Sequence, residues 1–349
     1  MTFPSPMRPD FKSLGSSLPP LSASRRPECL LRPLNQADRE QALALWRAAF
    51  GGTLEEAVWQ WKYHGEFGHR AMVAEHRSGR LVAMFGGVPC AASLRGNTVE
   101  IVHLWDNMSH PAYRGLLGGR RGVYVRTVDA FIETYCGPGK AIFLYGFPGD
   151  RHFRLGRRTL RYGRLAEAAC LELELSPSAS WNISARADLM VRADERLDHM
   201  AAELDRIYPF WVRRDRRFVQ WRYFDHPRRR YRVYGLRKFW SRALKGMAVT
   251  AAEDDDTGIL VDLILPEGNA ESLRFLRRLI GEWHRAGWRC IRTWVPANHP
   301  ARRCLQAAGF EPRPEPLGII PTGRSFSPDL DGRWAAANLY YTMGDGDLF

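Results

Sequence analysis

Apolar residues recur along the chain at two spacings, and the alternation between those spacings predicts a mixed α/β molecule. A strand-like Leu30-Leu-Arg-Pro-Leu34, entered from Cys29, is followed by Asn35 and Asp38, both helix-capping residue types. Ala42, Leu43, Leu45, Trp46 and Ala49 then fall at helical spacing. A second helical piece runs to Trp59-Gln-Trp-Lys-Tyr63. Two strands over 71–76 and 81–92 come next, joined at the turn Ser78-Gly79, and then a strand over Val99 to Met108. Val128, Phe131, Ile132 and Tyr135 predict the following helix.

The pattern then repeats. Val219-Gln-Trp-Arg-Tyr223 echoes Trp59-Gln-Trp-Lys-Tyr63 160 positions later. After each copy comes a basic strand-like segment (His69 to Val73; Tyr231 to Tyr234) and a second strand (Leu81 to Phe85; Ala243 to Val249). A glycine at a helix terminus is expected near the end of each, at Gly156 and Gly309. Two copies of one α/β unit are therefore predicted, at 29–195 and 196–349, with a turn-rich join from about 176 and a helix over Asp194 to Ile207. Residues 1–28, rich in Pro and Ser, read as a flexible arm.

Composition narrows the class. Hydrophobic residues make up 45% of the 349, enough for packed cores. The formal charge of +13 calls for an anionic partner without choosing one. Six scattered cysteines with no CxxC pair argue for a reduced, cytoplasmic setting, and no apolar run reaches the roughly 20 residues of a membrane span. Histidines and cysteines fall at no metal-ligand spacing, and no nucleophile triad is indicated.

The densest chemistry lies at His110-Pro-Ala-Tyr-Arg-Gly-Leu-Leu-Gly-Gly-Arg-Arg-Gly-Val-Tyr-Val-Arg126, between a strand and a helix. Such a turn gathers backbone N–H groups at a helix N-terminus, a recurrent phosphate site. It contains neither GxxxxGK[ST] nor GxGxxG, so it is not a P-loop or a dinucleotide fingerprint.

Read with its preceding strand, Asp106-Asn-Met-Ser-His-Pro-Ala-Tyr-Arg-Gly115 resembles the signature of the GNAT acyltransferases. Asn298-His-Pro-Ala-Arg-Arg-Cys-Leu-Gln-Ala-Ala-Gly-Phe310 resembles the family's second recurring phrase, with Leu305 at its tyrosine position. Tyr340-Tyr-Thr-Met-Gly-Asp-Gly-Asp347 is similar to the ending of tandem GNAT proteins of bacteria. The resemblance covers about 29–349. It implies two tandem domains of mixed, mostly antiparallel twisted sheet flanked by helices, the first carrying the coenzyme loop and the second a degenerate partner.

The resemblance also implies roles. Backbone amides from Arg114 through Gly115, Leu116, Leu117, Gly118, Gly119 and Arg120 would hold the pyrophosphate of acetyl-CoA or a longer acyl-CoA, with Leu117 standing where the family has a glycine. Leu104 and Trp105 would lie beside the thioester. Asp106, preferred to His103, would accept the amine's proton; His152, at the family's tyrosine position, would protonate the thiolate, with Tyr145 in reserve. Strand alternation places Glu100, Val102, Leu104 and Asp106 on one face and His103 with Trp105 on the other.

The implied reaction is transfer of an acyl group from coenzyme A to a primary amine of a small molecule such as an amino sugar. Two alternatives stand beside it: a tandem GNAT transferase taking an aminoacyl group from tRNA, and a GNAT-like binding protein without catalysis. The arginine-rich, aromatic run Trp211 to Tyr231 has the look of a nucleic-acid surface, although its aromatics recur in the first copy with far fewer arginines.

Overall fold

The computed structural model describes residues 29–114, 122–175, 187–238, 240–266 and 270–348. The expected arm and the stretch 176–186 of the expected join lie outside them. The first half of the chain runs β1 (Cys29–Pro33), α1 (Arg39–Phe50), α2 (Glu56–His64), β2 (Arg70–His76), β3 (Leu81–Leu94), β4 (Asn97–Leu104), β5 (Met108–Ser109), α3 (Pro111–Arg114), α4 (Val123–Tyr135), β6 (Phe143–Gly146), α5 (Asp150–Thr159), β7 (Gly163–Arg164) and β8 (Ala168–Glu174). The second runs β9 (Ala187–Met190), α6 (Arg196–Leu204), β10 (Phe210–Val212), α7 (Arg216–Val219), β11 (Arg232–Arg237), β12 (Leu244–Ala252), β13 (Thr257–Ile264), α8 (Ala270–Arg285), β14 (Cys290–Pro296), α9 (Pro300–Ala307), β15 (Glu311–Arg313), β16 (Thr322–Ser325), α10 (Gly332–Asn338) and β17 (Leu339–Tyr340).

These elements gather into two compact units that cut across the repeat: one from residues up to Leu54, Ala71–Phe85 and Asp106–Ala130, the other from Glu55–Arg70, Gly86–Trp105 and Phe131 onward. In the smaller unit β1 pairs antiparallel with β2, and the start of β3 pairs with β5. Its small core joins Cys29, Ala74, Val82, Ala83 and Val123. Asn35 and Asp38 form a reciprocal capping box just ahead of α1, and Arg32 clamps Asp38 at 2.6 Å and Glu75 at 2.8 Å.

The larger unit holds two sets of strands built on one plan. A seven-stranded sheet runs β15-β8-β14-β13-β12-β11-β9, and the strands β4, β6, β16 and β7 lie in that order in the other. One strand of each half is exchanged: β8 lies between β14 and β15, and β16 lies between β6 and β7. Each sheet closes only with a strand from the other half.

The repeated words meet here. The Trp61 indole N–H donates to the Trp221 carbonyl at 2.8 Å and the Trp221 indole N–H to the Trp61 carbonyl at 3.2 Å, with the rings stacked at 4.9 Å. The second copy of the word lies in a widened helical turn, Gln220–Phe224.

Local expectations need two corrections. The strand expected over Val99 to Met108 ends at Leu104, because Asp106 takes φ +47°; β5 begins separately beyond it. Gly156 does not end its helix: α5 continues to Thr159, and Gly156 is buried where a Cβ would stand 2.1 Å from the Tyr162 ring. Gly309, at φ +104°, does follow the end of α9. The helix expected over Asp194 to Ile207 is α6, one turn shorter.

The strand exchange makes a test. Residues 1–195 and 196–349 expressed separately each lack a strand between two others, so neither should show a cooperative thermal transition by circular dichroism. Co-expressed, they should co-purify and regain one. A cooperative transition in either half alone would contradict the exchange as a folding requirement.

Candidate functional site

Strand β4 positions the first group of expected residues. It pairs antiparallel with β3 over Gly87–Leu104 to Leu94–Asn97, and glycine at 87 is required because a Cβ there would lie 1.8 Å from the His103 carbonyl oxygen. On its other edge it pairs parallel with β6 only from Ile101–Phe143 to His103–Tyr145, and both strands run on past the last pair. Leu104, half-buried, is the residue of β4 beyond that pair, and a Cβ on Gly146 would lie 3.5 Å from its Cβ.

His103 and Trp105 face the interior of the larger unit together, at 4% and 3% exposure, and the Trp105 indole N–H donates to the His103 ring. Trp105 also uses its backbone N–H on the Gly86 carbonyl at 3.0 Å, so that N–H is not directed at a ligand. Its ring completes a near-parallel set of three indoles, 5.5 Å from Trp61 and 5.7 Å from Trp221. Lys62, itself buried, holds its ammonium over Trp105 at 5.0 Å and pairs with Asp347 at 3.1 Å.

Tyr145 is buried with its ring on His103 at 4.9 Å, and its hydroxyl meets Asp345 at 3.4 Å. Burial holds the phenol well above its ordinary pKa, with Cys90 and Asp345 adding to the effect. It is turned into the core rather than toward an opening. His152, on α5, lies half-buried with its ring parallel to Tyr162 at 6.5 Å; burial lowers its pKa, so it is a neutral imidazole at pH 7.

In the smaller unit, Asp106 has the left-handed backbone that aspartate tolerates better than most residues. Its carboxylate accepts the Trp46 indole N–H at 3.3 Å and remains partly exposed. The chain then enters β5 and α3, where Arg114 folds its guanidinium back on the Ser109 carbonyl at 3.0 Å. The His110 pKa is lowered first by burial and then by the nearby charges of Arg80 and Arg114. Gly115, Leu116, Leu117, Gly118, Gly119 and Arg120 lie outside the described residues.

Strand β4, the segment His110 to Arg114 and helix α4 follow one another in the order that the GNAT resemblance implied. Residues 31–153 match the family model described as an acetyltransferase (GNAT) domain. Residues 31–153 thus carry a GNAT acetyltransferase domain. A search of curated protein sequences finds no match. Among solved structures, the chain is similar to a probable N-acyltransferase from Enterococcus faecalis V583 (12% identity, 86% of this chain and 72% of that one, TM-score 0.64). It is likewise similar to a GCN5-related N-acetyltransferase from Anabaena variabilis (11%, 86% and 73%, TM-score 0.65). A tandem GNAT protein from the clavulanic acid biosynthesis pathway aligns over 87% of this chain and all of that one, at 16% identity and TM-score 0.51. At these identities the likeness is one of fold, and it agrees with the mixed, helix-flanked sheets predicted for a GNAT protein.

The second half of the chain has a parallel opening, between β13 and β14, whose pairing stops at Ile259–Arg292. The chain fills it from within. Tyr208 Oη donates to the Leu265 carbonyl at 2.7 Å and accepts the Leu265 N–H at 3.1 Å, and Tyr340 donates to the Leu263 carbonyl. A cavity of about 280 Å³ remains beside them, lined in part by Pro266, Ser272, His299 and Cys304.

The sequence missed one interior cluster. Arg214, fully buried, contacts Asp262 at 2.9 Å and Asp345 at 2.5 Å; Tyr223 and Thr342 donate to Asp262 at 2.5 and 2.8 Å. The Gly-Asp-Gly-Asp ending was a visible signal for Asp345, but nothing separated Arg214 from its neighbouring arginines. Of the run Trp211 to Tyr231, Arg214 and Arg222 are interior, and Arg213, Arg216, Arg217 and Arg228 pair with Asp205, Asp198, Glu66 and Glu55. The expected nucleic-acid surface is thus mostly neutralised.

Two histidines predict acid sensitivity for the larger unit. His226 is lowered to about 3, by burial first and then by Arg222, Arg229 and other cations; His299 is lowered to about 3 by burial. Both use Nδ1 to accept backbone N–H groups, from Arg229 at 3.0 Å and Ala301 at 3.1 Å. A depressed histidine pKa contributes stability above the unfolded value near 6.5, lost as pH falls toward 3. The melting temperature should therefore drop steadily from pH 6.5 to 4, and less steeply in His226→Asn with His299→Asn. Equal slopes in thermal scans of the two proteins would refute this account.

Proposed function

We propose that the chain is an acyl-CoA-dependent N-acyltransferase, moving an acetyl or longer acyl group from coenzyme A to a primary amine of a small molecule such as an amino sugar. The observation that carries this reading is the end of β4, where Asp106 breaks the strand ahead of the His110 to Arg114 turn and Arg80 and Arg114 bias the neighbourhood toward an anion. An anionic pyrophosphate at a helix N-terminus fits that electrostatic setting, and the following helix α4 carries Arg126, exposed, in its first turn. The division into 29–195 with the donor loop and 196–349 as its degenerate partner is supported by the repeated strand order and by Tyr208 and Tyr340 closing the second opening.

Acyl transfer by direct attack needs the amine deprotonated, the thioester carbonyl polarised and the thiolate protonated. Asp106 is the proposed base: its carboxylate is partly exposed and accepts the Trp46 indole N–H. His152 is the proposed donor in preference to Tyr145, whose hydroxyl is turned onto Asp345 inside the core. Resting as a neutral imidazole, His152 would take up a proton from solvent and pass it on as an imidazolium to the departing thiolate, returning to the neutral ring.

Asp106→Asn should lower kcat with acetyl-CoA by about 10²- to 10⁴-fold, the range for a removed general base. Its KM for acetyl-CoA should stay within threefold. Loss of thermal stability with unchanged kcat would leave Asp106 as a turn residue only. Arg114→Glu should weaken acetyl-CoA binding by about 10- to 100-fold in calorimetry, as loss of a charge-assisted contact does. Unchanged affinity would remove the coenzyme from this turn.

A further inference from the structure

The arginines that the sequence concentrates in the 211–231 run are mostly internal or paired, so the +13 charge must be presented elsewhere. Helix α5 and the turn after it present it most densely. Arg151, Arg154, Arg157, Arg158, Arg161 and Arg164 are all exposed. The single acidic residue among 150–164 is Asp150, which pairs with Arg154 at 2.6 Å. Among the described residues no carboxylate pairs with the other five.

Helical geometry arranges the side chains into a stripe. Phe153, Gly156 and Leu160 are buried on one side, and Tyr162 closes against Gly156. At 100° per residue, Arg151, Arg154, Arg157 and Arg158 then fall in an arc of about 120° on the opposite side. Arg164 extends the patch, lying over the Phe153 ring at 4.6 Å, and Arg324, which donates to the Leu160 carbonyl at 3.0 Å, borders it.

We propose that this face docks the phosphate backbone of a nucleic-acid duplex. The stripe from Arg151 to Arg158 is about 10 Å long at 1.5 Å per residue. A duplex carries one phosphate charge per about 1.7 Å of axis, so about six phosphates span the same length. Every cation of the stripe is arginine, whose planar fork binds phosphate in a bidentate manner. A membrane surface fits less well, since the face bears one exposed apolar side chain, Leu155, and no exposed aromatic ring to enter a lipid interface. An acidic peptide would need a groove, and this is a convex helix. The surface reads charge spacing and not base sequence.

The test uses the full chain and 20-base-pair duplexes of RNA and of DNA, unrelated in sequence, followed by fluorescence anisotropy from 50 to 200 mM salt. One variant replaces Arg151, Arg154, Arg157 and Arg158 by Gln, which keeps helix propensity. A control with the same charge change replaces the paired arginines Arg216, Arg217, Arg228 and Arg313 by Gln. The wild type should lose about 100-fold in affinity across that salt range, as four contacts predict. The stripe variant should reduce the logarithmic salt slope by about 3 to 4, and the control should stay within threefold of wild type. Equal weakening in both variants, or no duplex binding by a folded wild type, would overturn the proposal. So would tighter, stripe-dependent sedimentation with phosphatidylglycerol-containing vesicles than with either duplex. Binding is measured without turnover, so its failure is separate from failure of the acyltransferase reading.

Discussion

Arg214 is the constraint on which the larger unit is organised. Its guanidinium is sealed from solvent with two carboxylates, one from β13 and one from the C-terminal turn, and its remaining N–H reaches the Val212 carbonyl at 2.8 Å. Such a cluster is poor evidence for net stability, because desolvating three charges offsets most of their attraction. Its consequence is specificity. Asp345 can be ionised inside the protein only where Arg214 meets it, and burial already pushes its carboxyl above the ordinary range against the pull of Arg214. The C-terminal turn therefore has one satisfactory place, reinforced by Arg222 donating to the Gly344 and Gly346 carbonyls at 3.0 and 2.8 Å.

The same logic accounts for the strand exchange. A chain that must bring residues 342–346 back to Arg214 has to carry β16 and β17 across the repeat, and β17 pairs parallel with β10, the strand that contains Val212. The two copies of the tryptophan word add a reciprocal pair of hydrogen bonds between residues 160 apart. The two similar sets of strands present similar surfaces, and the buried polar groups fix which partner each strand takes.

Much of the order of elements was legible in the sequence, since hydrophobic period and turn chemistry are local. The repeat was visible through aromatics that are core residues in both copies. The exchange of β8 and β16 was not, because edge choice depends on contacts between segments more than 100 residues apart and leaves no period in either strand. Arginine roles were the least legible. Arg213, Arg214, Arg216 and Arg217 read alike in sequence, yet one is sealed in the interior and three make ion pairs with separate carboxylates. Position on a buried or solvated face decides what a guanidinium does, and that position is set by the tertiary fold.

The expected site shows how a single backbone torsion can defeat a pattern argument. Alternation along β4 assigns Leu104 and Asp106 to one face and His103 and Trp105 to the other, and it holds for the second pair, which are buried together. It ends there. The φ of +47° at Asp106 rotates the chain out of the pleat at the point where it passes from one compact unit to the other. His103 and Trp105 therefore anchor the strand in an aromatic core, and the very next residue is released from the sheet with its carboxylate held by Trp46. The base proposed at Asp106 would need both properties at once: a fixed backbone behind it and a side chain not consumed by the core. Neither period nor propensity encodes that combination, which arises from placing a residue that tolerates left-handed geometry directly after two that cannot leave the interior.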